Sequence, residues 1–354
     1  MATSGSKLHD WLDSEFFAQG AFITDFETGK VTLGKGGKAT QIDAFSIYIN
    51  TTFYLKDFFQ DEYMAYEPSS TITASLEELQ SLTSSWKLGR PNPQNEKNDE
   101  DIYRQDFENL KKSFGPALQK VVLVSRESYL IHNNEITRRQ LFSQCMSFGS
   151  GYPYGIWNDE KGILGSTPEL LFSLKHQTLK TFALAGTAKL GEEARLLDSA
   201  KDRHEHNLVV DDIREKISSF CEQLKTSETH LLPFKNIVHL KTDITAKLNS
   251  KIPLKDITST LSPTAALGGY PKEASLRFLK DSKYTQTYPQ RYFGSALGIV
   301  SSDLTQFVVM IRNIQWQKDM FFIESGGGVL PESKLENELE EIRLKRATIK
   351  GHYL

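Results

Sequence analysis

The chain has 354 residues, 39% of them hydrophobic, and a formal net charge of −3, so a large core can be buried while scattered basic residues give no footprint for nucleic acid or an anionic membrane. Two cysteines, Cys145 and Cys221, exclude a disulfide framework or a CxxC metal knuckle. No stretch nears the ~18 apolar residues of a membrane span and the start lacks an apolar leader core, so a cytoplasmic protein with a small-molecule partner is expected.

From residue 1 to about 85 the pattern reads as short strands and turns. Residues 21–37 form a hairpin, because Thr28-Gly29 and the Gly34 to Gly37 run interrupt alternating segments. The polar run 88–101, "LGRPNPQNEKNDED", reads as a surface linker. Tyr103, Phe107 and Leu110 then recur at helical spacing, and Gly115-Pro116 ends that helix before the strand "LQKVVLVS". Lys120 shares a face of this strand with Leu118, Val122 and Val124. A cation in such company either snorkels at a strand end or binds something inside.

Residues 170–186 and 295–328 read as antiparallel meanders, with helices at 200–224, 272–281 and 333–350. The fold class is α+β: antiparallel sheets packed face to face with helices outside. A single domain is expected, with 1–95 a divergent part of the same fold and 100–354 the core. Arg312 lies among Val308, Met310 and Ile314, and His239 in "IVHLKT" fits a satisfied core histidine equally well. Three glycines in "ESGGGV" (324 to 329) and the short element "LAGT" (184 to 187) let bare amides approach an anion or form plain turns.

The octet "SAKDRHEH" (199 to 206) poses a metal question. His204 and His206 are two apart, which turns them roughly 160° from each other on a helix, so zinc is excluded. The helical face of Val210, Ile213, Ile217, Phe220 and Leu224, projected backward, passes through Val209, Glu205 and Asp202. Asp202 also completes a capping box with Ser199, whereas Glu205 lies a turn further in. The last helix repeats the arrangement: Leu335, Leu339, Ile342 and Ile349 form an apolar stripe beside Glu338, Glu341 and Lys345. Alone, that stripe is a solvated face with an i, i+4 ion pair. Two helices each offering carboxylates would suit Mg²⁺, a hard ion that takes few protein ligands and keeps waters.

Taken in order, "KVVLVSR", "GSTPELLFS", "LAGT", "SAKDRHEH", "VHLKT", "LSPTAALGGYP", "RYFGSA", "MIRN", "ESGGGVLPES" and the spaced Glu338, Glu341 and Lys345 resemble the chorismate-utilising enzymes related to anthranilate synthase component I. The resemblance covers about residues 118 to 350. Lysine at 120, where ammonia-using members have glutamine, and alanine at 185, where aminodeoxychorismate synthases tend to have a nucleophilic lysine, make the chain similar to isochorismate synthases, closest to the menaquinone-pathway branch.

That resemblance implies that Lys120 is a general base activating water for attack at C2 of chorismate, and Glu169 the acid that protonates the departing C4 hydroxyl. The first must be an uncharged amine and the second a protonated carboxyl. Glu205 and Glu341 are implied as direct Mg²⁺ ligands, with Asp202 and Glu338 acting through water. Arg312, Tyr292 and the amides of Gly327 and Gly328 are implied as a clamp on the enolpyruvyl carboxylate. Gly186, Thr187, His239 and Lys345 complete the substrate contacts. No obligatory amidotransferase subunit is expected. Ser262 before "PT", Leu190 after "GT" and the spacing of "GSALG" depart from the family pattern. A salicylate synthase, an ammonia-dependent anthranilate or aminodeoxychorismate synthase component, and a non-catalytic relative remain the alternatives.

Overall fold

The computed structural model describes residues 4–42, 50–234, 237–249 and 252–354. Among these, the strands form two ten-stranded sheets, each a path of nine with one side strand, Gln94–Asn98 on Lys120–Leu130 in the first and His230–Phe234 on Ile237–Leu248 in the second. The first runs Gly269–Tyr270, Lys120–Leu130, Met320–Val329, Asn313–Gln317, Lys161–Thr167, Tyr152–Trp157, Gly20–Thr24, Lys30–Lys35, Ser70–Ser75. The second runs Cys221–Thr226, Ile237–Leu248, Thr178–Lys189, Leu170–Lys175, Thr305–Val309, Ala296–Val300, Thr52–Lys56, Tyr63–Glu67, Lys38–Ile42. Side chains alternate across each strand, so Ala21, Ile23, Tyr154 and Ile163 of the first sheet meet Phe53, Leu55, Leu297 and Val308 of the second in one apolar layer. On the first sheet's other face, Phe16, Phe17, Phe142 and Tyr353 from helices cover Phe22, Leu164 and Trp316. This is the expected α+β arrangement. No helix among the described residues is long and apolar enough to cross a membrane.

Several expectations need correction. The hairpin forms, with Gly20–Thr24 paired to Lys30–Lys35, but the first 85 residues also contain the helices Ser4–Trp11, Ser14–Ala18 and Leu76–Ser85. The last is opened by a capping box between Ser75 and Glu78. Strands from this region enter both sheets, since Gly20–Thr24 pairs with Tyr152–Trp157 and Thr52–Lys56 with Ala296–Val300. The polar run is not all linker: Gln94–Asn98 pairs with Lys120–Leu130, every residue exposed. An edge strand held by backbone bonds and an ion pair from Glu96 to Lys350 needs no apolar alternation. The 200–224 helix ends at Ser218, and Leu224 belongs to the strand Cys221–Thr226, opposite Ala246. Consecutive serines there compete for backbone bonds and favour the stop.

The 295–328 meander divides. Ala296–Val300 and Thr305–Val309 pair in the second sheet, whereas Asn313–Gln317 and Met320–Val329 pair in the first. The chain changes sheets through Met310 to Arg312, and Arg312 has φ +56°. A second change, from Lys161–Thr167 to Leu170–Lys175, carries Glu169. The two crossings are bonded to each other: Val309 N–H donates to the Glu169 carbonyl at 3.0 Å and Ser166 N–H to the Arg312 carbonyl at 3.2 Å. These crossings place an acid and a guanidinium side by side.

Candidate active site

A pocket of about 70 Å³ opens at the crossings, lined by Glu169, Gly186, Thr187, Glu205, His239, Arg312, Gly328, Glu341 and Lys345. Glu169 is buried, and burial pushes its carboxyl up to about 8 against the weaker opposing pull of Thr264, whose hydroxyl donates to Oε1 at 3.4 Å, and of Lys120 and Arg312. It is an acid that keeps its proton at neutral pH.

His239 is tied at both nitrogens. Nδ1 lies 3.2 Å from the Gly186 carbonyl and 3.1 Å from Thr187 Oγ1, and Nε2 lies 3.5 Å from Arg312 Nη2. A carbonyl can only accept and a guanidinium can only donate, so the proton belongs on Nδ1 and the ring is neutral. Burial, then Arg312, accordingly lower its pKa to about 3. Gly186 makes this possible: with φ +75° it forms a bulge in Thr178–Lys189 that turns its carbonyl and Thr187 onto the histidine. Burial brings the Arg312 guanidinium down to about 10, although Glu341 and Glu169 pull it upward.

Lys120 is wholly buried, with Nζ 2.9 Å from Glu205 Oε1. Gly328 leaves the room for both: a Cβ there would stand 2.3 Å from Glu205 Oε1 and 2.6 Å from Lys120 Cε. On the adjacent residue, a Cβ on Gly327 would be 3.3 Å from Glu338 Oε2 and 4.0 Å from Glu341 Oε1. Two consecutive glycines thus face the carboxylates of both helices. Lys345 Nζ donates to the Gly326 carbonyl at 3.1 Å and pairs with Glu341 at 2.5 Å.

Asp202 and Glu338 line a neighbouring cavity of about 340 Å³ that shares Thr187 and Glu341 with the pocket. Burial raises both carboxyls, with the negative neighbours Glu205 and Glu341 adding to Asp202, and Glu341 to Glu338. The exposed His204 and the buried His206, which bonds Thr242 Oγ1 at 2.7 Å, diverge as their spacing requires.

Tyr292 stands apart from the other expected residues. Its hydroxyl accepts from Gln290 Nε2 at 2.8 Å and it lines a different cavity, of about 420 Å³, between the sheets. Phe293 faces the pocket instead, so the clamp that the resemblance implied would have no phenol at this position. The loop precedes the strand Ala296–Val300 and gives no alternation from which to choose the inward residue.

Four residues carry weight without a clear sequence signal: Thr264 on the acid, Phe293, Lys201 and Glu324. Glu324 also lines the pocket and is fully buried, yet accepts from Arg126 Nη2 at 2.8 Å, from Gln315 Nε2 at 2.8 Å and from the Tyr284 hydroxyl. Burial alone would raise its carboxyl, but Arg126 and Tyr284 outweigh that and lower it. Two buried glutamates of one pocket are thereby held in opposite protonation states.

Residues 16–351 match the family model described as chorismate binding enzyme. The chain belongs to the chorismate-binding enzymes. Isochorismate synthase MenF of Haemophilus influenzae is 28% identical over 240 residues, 65% of this chain and 55% of the relative. The vibriobactin-specific isochorismate synthase of Vibrio cholerae is 26% identical over 260 residues, 70% of this chain and 65% of the relative. The chain thus spans between 55% and 65% of the length of these relatives. The solved structure of MenF, the menaquinone-specific isochorismate synthase from Escherichia coli, shares the chorismate-binding fold with a TM-score of 0.83 at 18% identity, covering 98% of this chain and 91% of that one.

Proposed function

We propose that this chorismate-binding protein is an isochorismate synthase. The observation that carries the reading is a wholly buried lysine amine, 2.9 Å from the pocket carboxylate Glu205 and near enough to Glu169 to act on it electrostatically, beside a buried pocket carboxyl that stays protonated at neutral pH. Water addition at C2 needs a base on the water and an acid on the leaving oxygen. In this reading Lys120 Nζ takes a proton from the attacking water as its oxygen bonds to C2, and the ring's two double bonds each shift by one position. The C4–O bond breaks, and Glu169 gives its proton to the departing hydroxyl, which leaves as water. The balance is an isomerisation. Arg312, with His239 fixed as a neutral acceptor beside it, presents a guanidinium to a carboxylate of the substrate.

The helix-borne carboxylates suit Mg²⁺ in donor chemistry: all are hard oxygens, the three glutamates gather around Gly327 and Gly328, and the buried Glu338 Oε2 has no hydrogen-bond partner. Among the described residues, no three acidic, histidine or cysteine side chains stand close enough to grip an ion as they are. Glu205 and Glu341 would hold it, with Asp202 and Glu338 behind them. Bound there, Mg²⁺ would neutralise the cluster and attract the ring carboxylate.

The test is the product formed from chorismate and Mg²⁺ with no nitrogen source, identified by chromatography and mass spectrometry. Isochorismate is expected. Salicylate with pyruvate, or an aminated product once ammonium is supplied, would reassign the chain within its family.

A further inference from the structure

Each of three glutamates in the carboxylate cluster carries a lysine. Lys120 stands 2.9 Å from Glu205, Lys345 2.5 Å from Glu341, and Lys201 2.7 Å from Glu338. The three are not equivalent. Lys120 is enclosed, with the Gly328 backbone against its stem. Lys345 is tied a second time, to the Gly326 carbonyl. Lys201 lies in the first turn of Ala200–Ser218, its side chain 32% exposed on the wall of the 340 Å³ cavity. It has room to leave.

Its partner cannot follow. Glu338 is 1% exposed, and the lysine covers only Oε1 while Oε2 lacks a partner. A buried carboxylate without a counter-charge is costly, so an ammonium that compensates it stabilises the cation-free fold. The same bond ties Ala200–Ser218 to Leu335–Tyr353, the two helices that bear the acidic groups. A divalent ion entering this cluster meets the ammonium as a like charge a few ångströms away.

We propose that Lys201 is a built-in counter-cation and latch: it neutralises Glu338 and joins the two helices in the absence of metal, and it swings off that carboxylate into the adjoining cavity when a divalent cation binds. The inference rests on the reading of Asp202, Glu205, Glu338 and Glu341 as cation ligands. It makes the metal site one that is occupied by a tethered positive charge at rest, so that affinity for the ion is set below what the carboxylates alone would give.

Calorimetric titration of the whole protein with MgCl₂, without substrate, tests it. Lys201→Met removes the competing charge and is expected to bind Mg²⁺ on the order of tenfold tighter than the unsubstituted protein. Lys201→Gln, which keeps a donor for Glu338 without the charge, gives the same reading if the methionine variant fails to fold. Lys189→Met is the control: it makes the same net-charge change on a wall of the same cavity, but its pair with Glu340 is 3.6 Å long and exposed on both sides, so a shift under about twofold is expected. Binding by the Lys201 variants that is equal to or weaker than the parent's overturns the proposal, as does an equal gain in Lys189→Met. If the unsubstituted protein itself takes up no Mg²⁺, the ligand reading fails and the latch with it.

Discussion

The two halves of the site are built differently. Glu169, His239 and Arg312 come from strands or from the crossings between sheets, where neighbouring backbone fixes them and every required proton is already in place. Asp202, Glu205, Glu338 and Glu341 come from two helices, and each of the three glutamates has a lysine of this chain against it. The strand half holds an acid, a neutral imidazole and a guanidinium in fixed positions, whereas the helix half stores negative charge whose neutralising partner, as proposed, can be exchanged. On the proposed reading, acid–base geometry in this fold is a property of sheet topology, and cation binding a property of helix faces.

Breaking the helix half has the largest expected effect. Glu205→Ala and Glu341→Ala each abolish turnover together with Mg²⁺ dependence, read by steady-state assay against Mg²⁺ concentration. Glu205→Ala also leaves the buried Lys120 Nζ without its partner, at a cost of about 1–3 kcal/mol by denaturant unfolding. In the strand-borne chemistry, Lys120→Gln fills the space but cannot take a proton, and kcat falls by about 10²–10⁴ with the fold retained.

Glu169→Gln sharpens the contrast because its two effects have opposite signs. Turnover falls by about 10²–10³, and the alkaline fall of the parent's kcat near pH 8 disappears with the titrating group. The folded chain holds this proton up to about 8 while the unfolded chain releases it near 4.5. Its contribution to stability is therefore complete below 4.5 and is lost as pH rises towards 8. Urea unfolding at pH 5 and pH 8 will show a smaller loss for the glutamine variant than for the parent.

Arg312→Lys, which gives up the planar fork, raises KM by about tenfold. Tyr292→Phe marks the lower end: its hydroxyl faces another cavity, and kcat/KM changes by less than about twofold.

Much of this was legible in the chain. The helical recurrence of Val210, Ile213 and Ile217, projected backward through Val209 to Glu205, found the buried face of Ala200–Ser218, although Val209 rather than Val210 is the buried valine. Leu224 was misplaced because a turn at the serines converts the helical count into a strand without breaking the apolar pattern. The sheet crossing at Arg312 hides inside "QFVVMIRNIQW", which reads as one strand; only the positive φ reveals the change of direction. Gln94–Asn98 carries no side-chain signal because neither face is buried. Glu324 and Lys201 owe their roles to partners 198 and 137 positions away, a separation that no local pattern encodes.

The most direct test of a buried amine and a protonated carboxyl acting across one ring is turnover of chorismate in ¹⁸O-labelled water. Isochorismate carrying solvent oxygen at C2, formed by the parent and not by Lys120→Gln, is the predicted result. Isochorismate formed with its oxygen wholly unlabelled, or labelled equally fast by the glutamine variant, would contradict it.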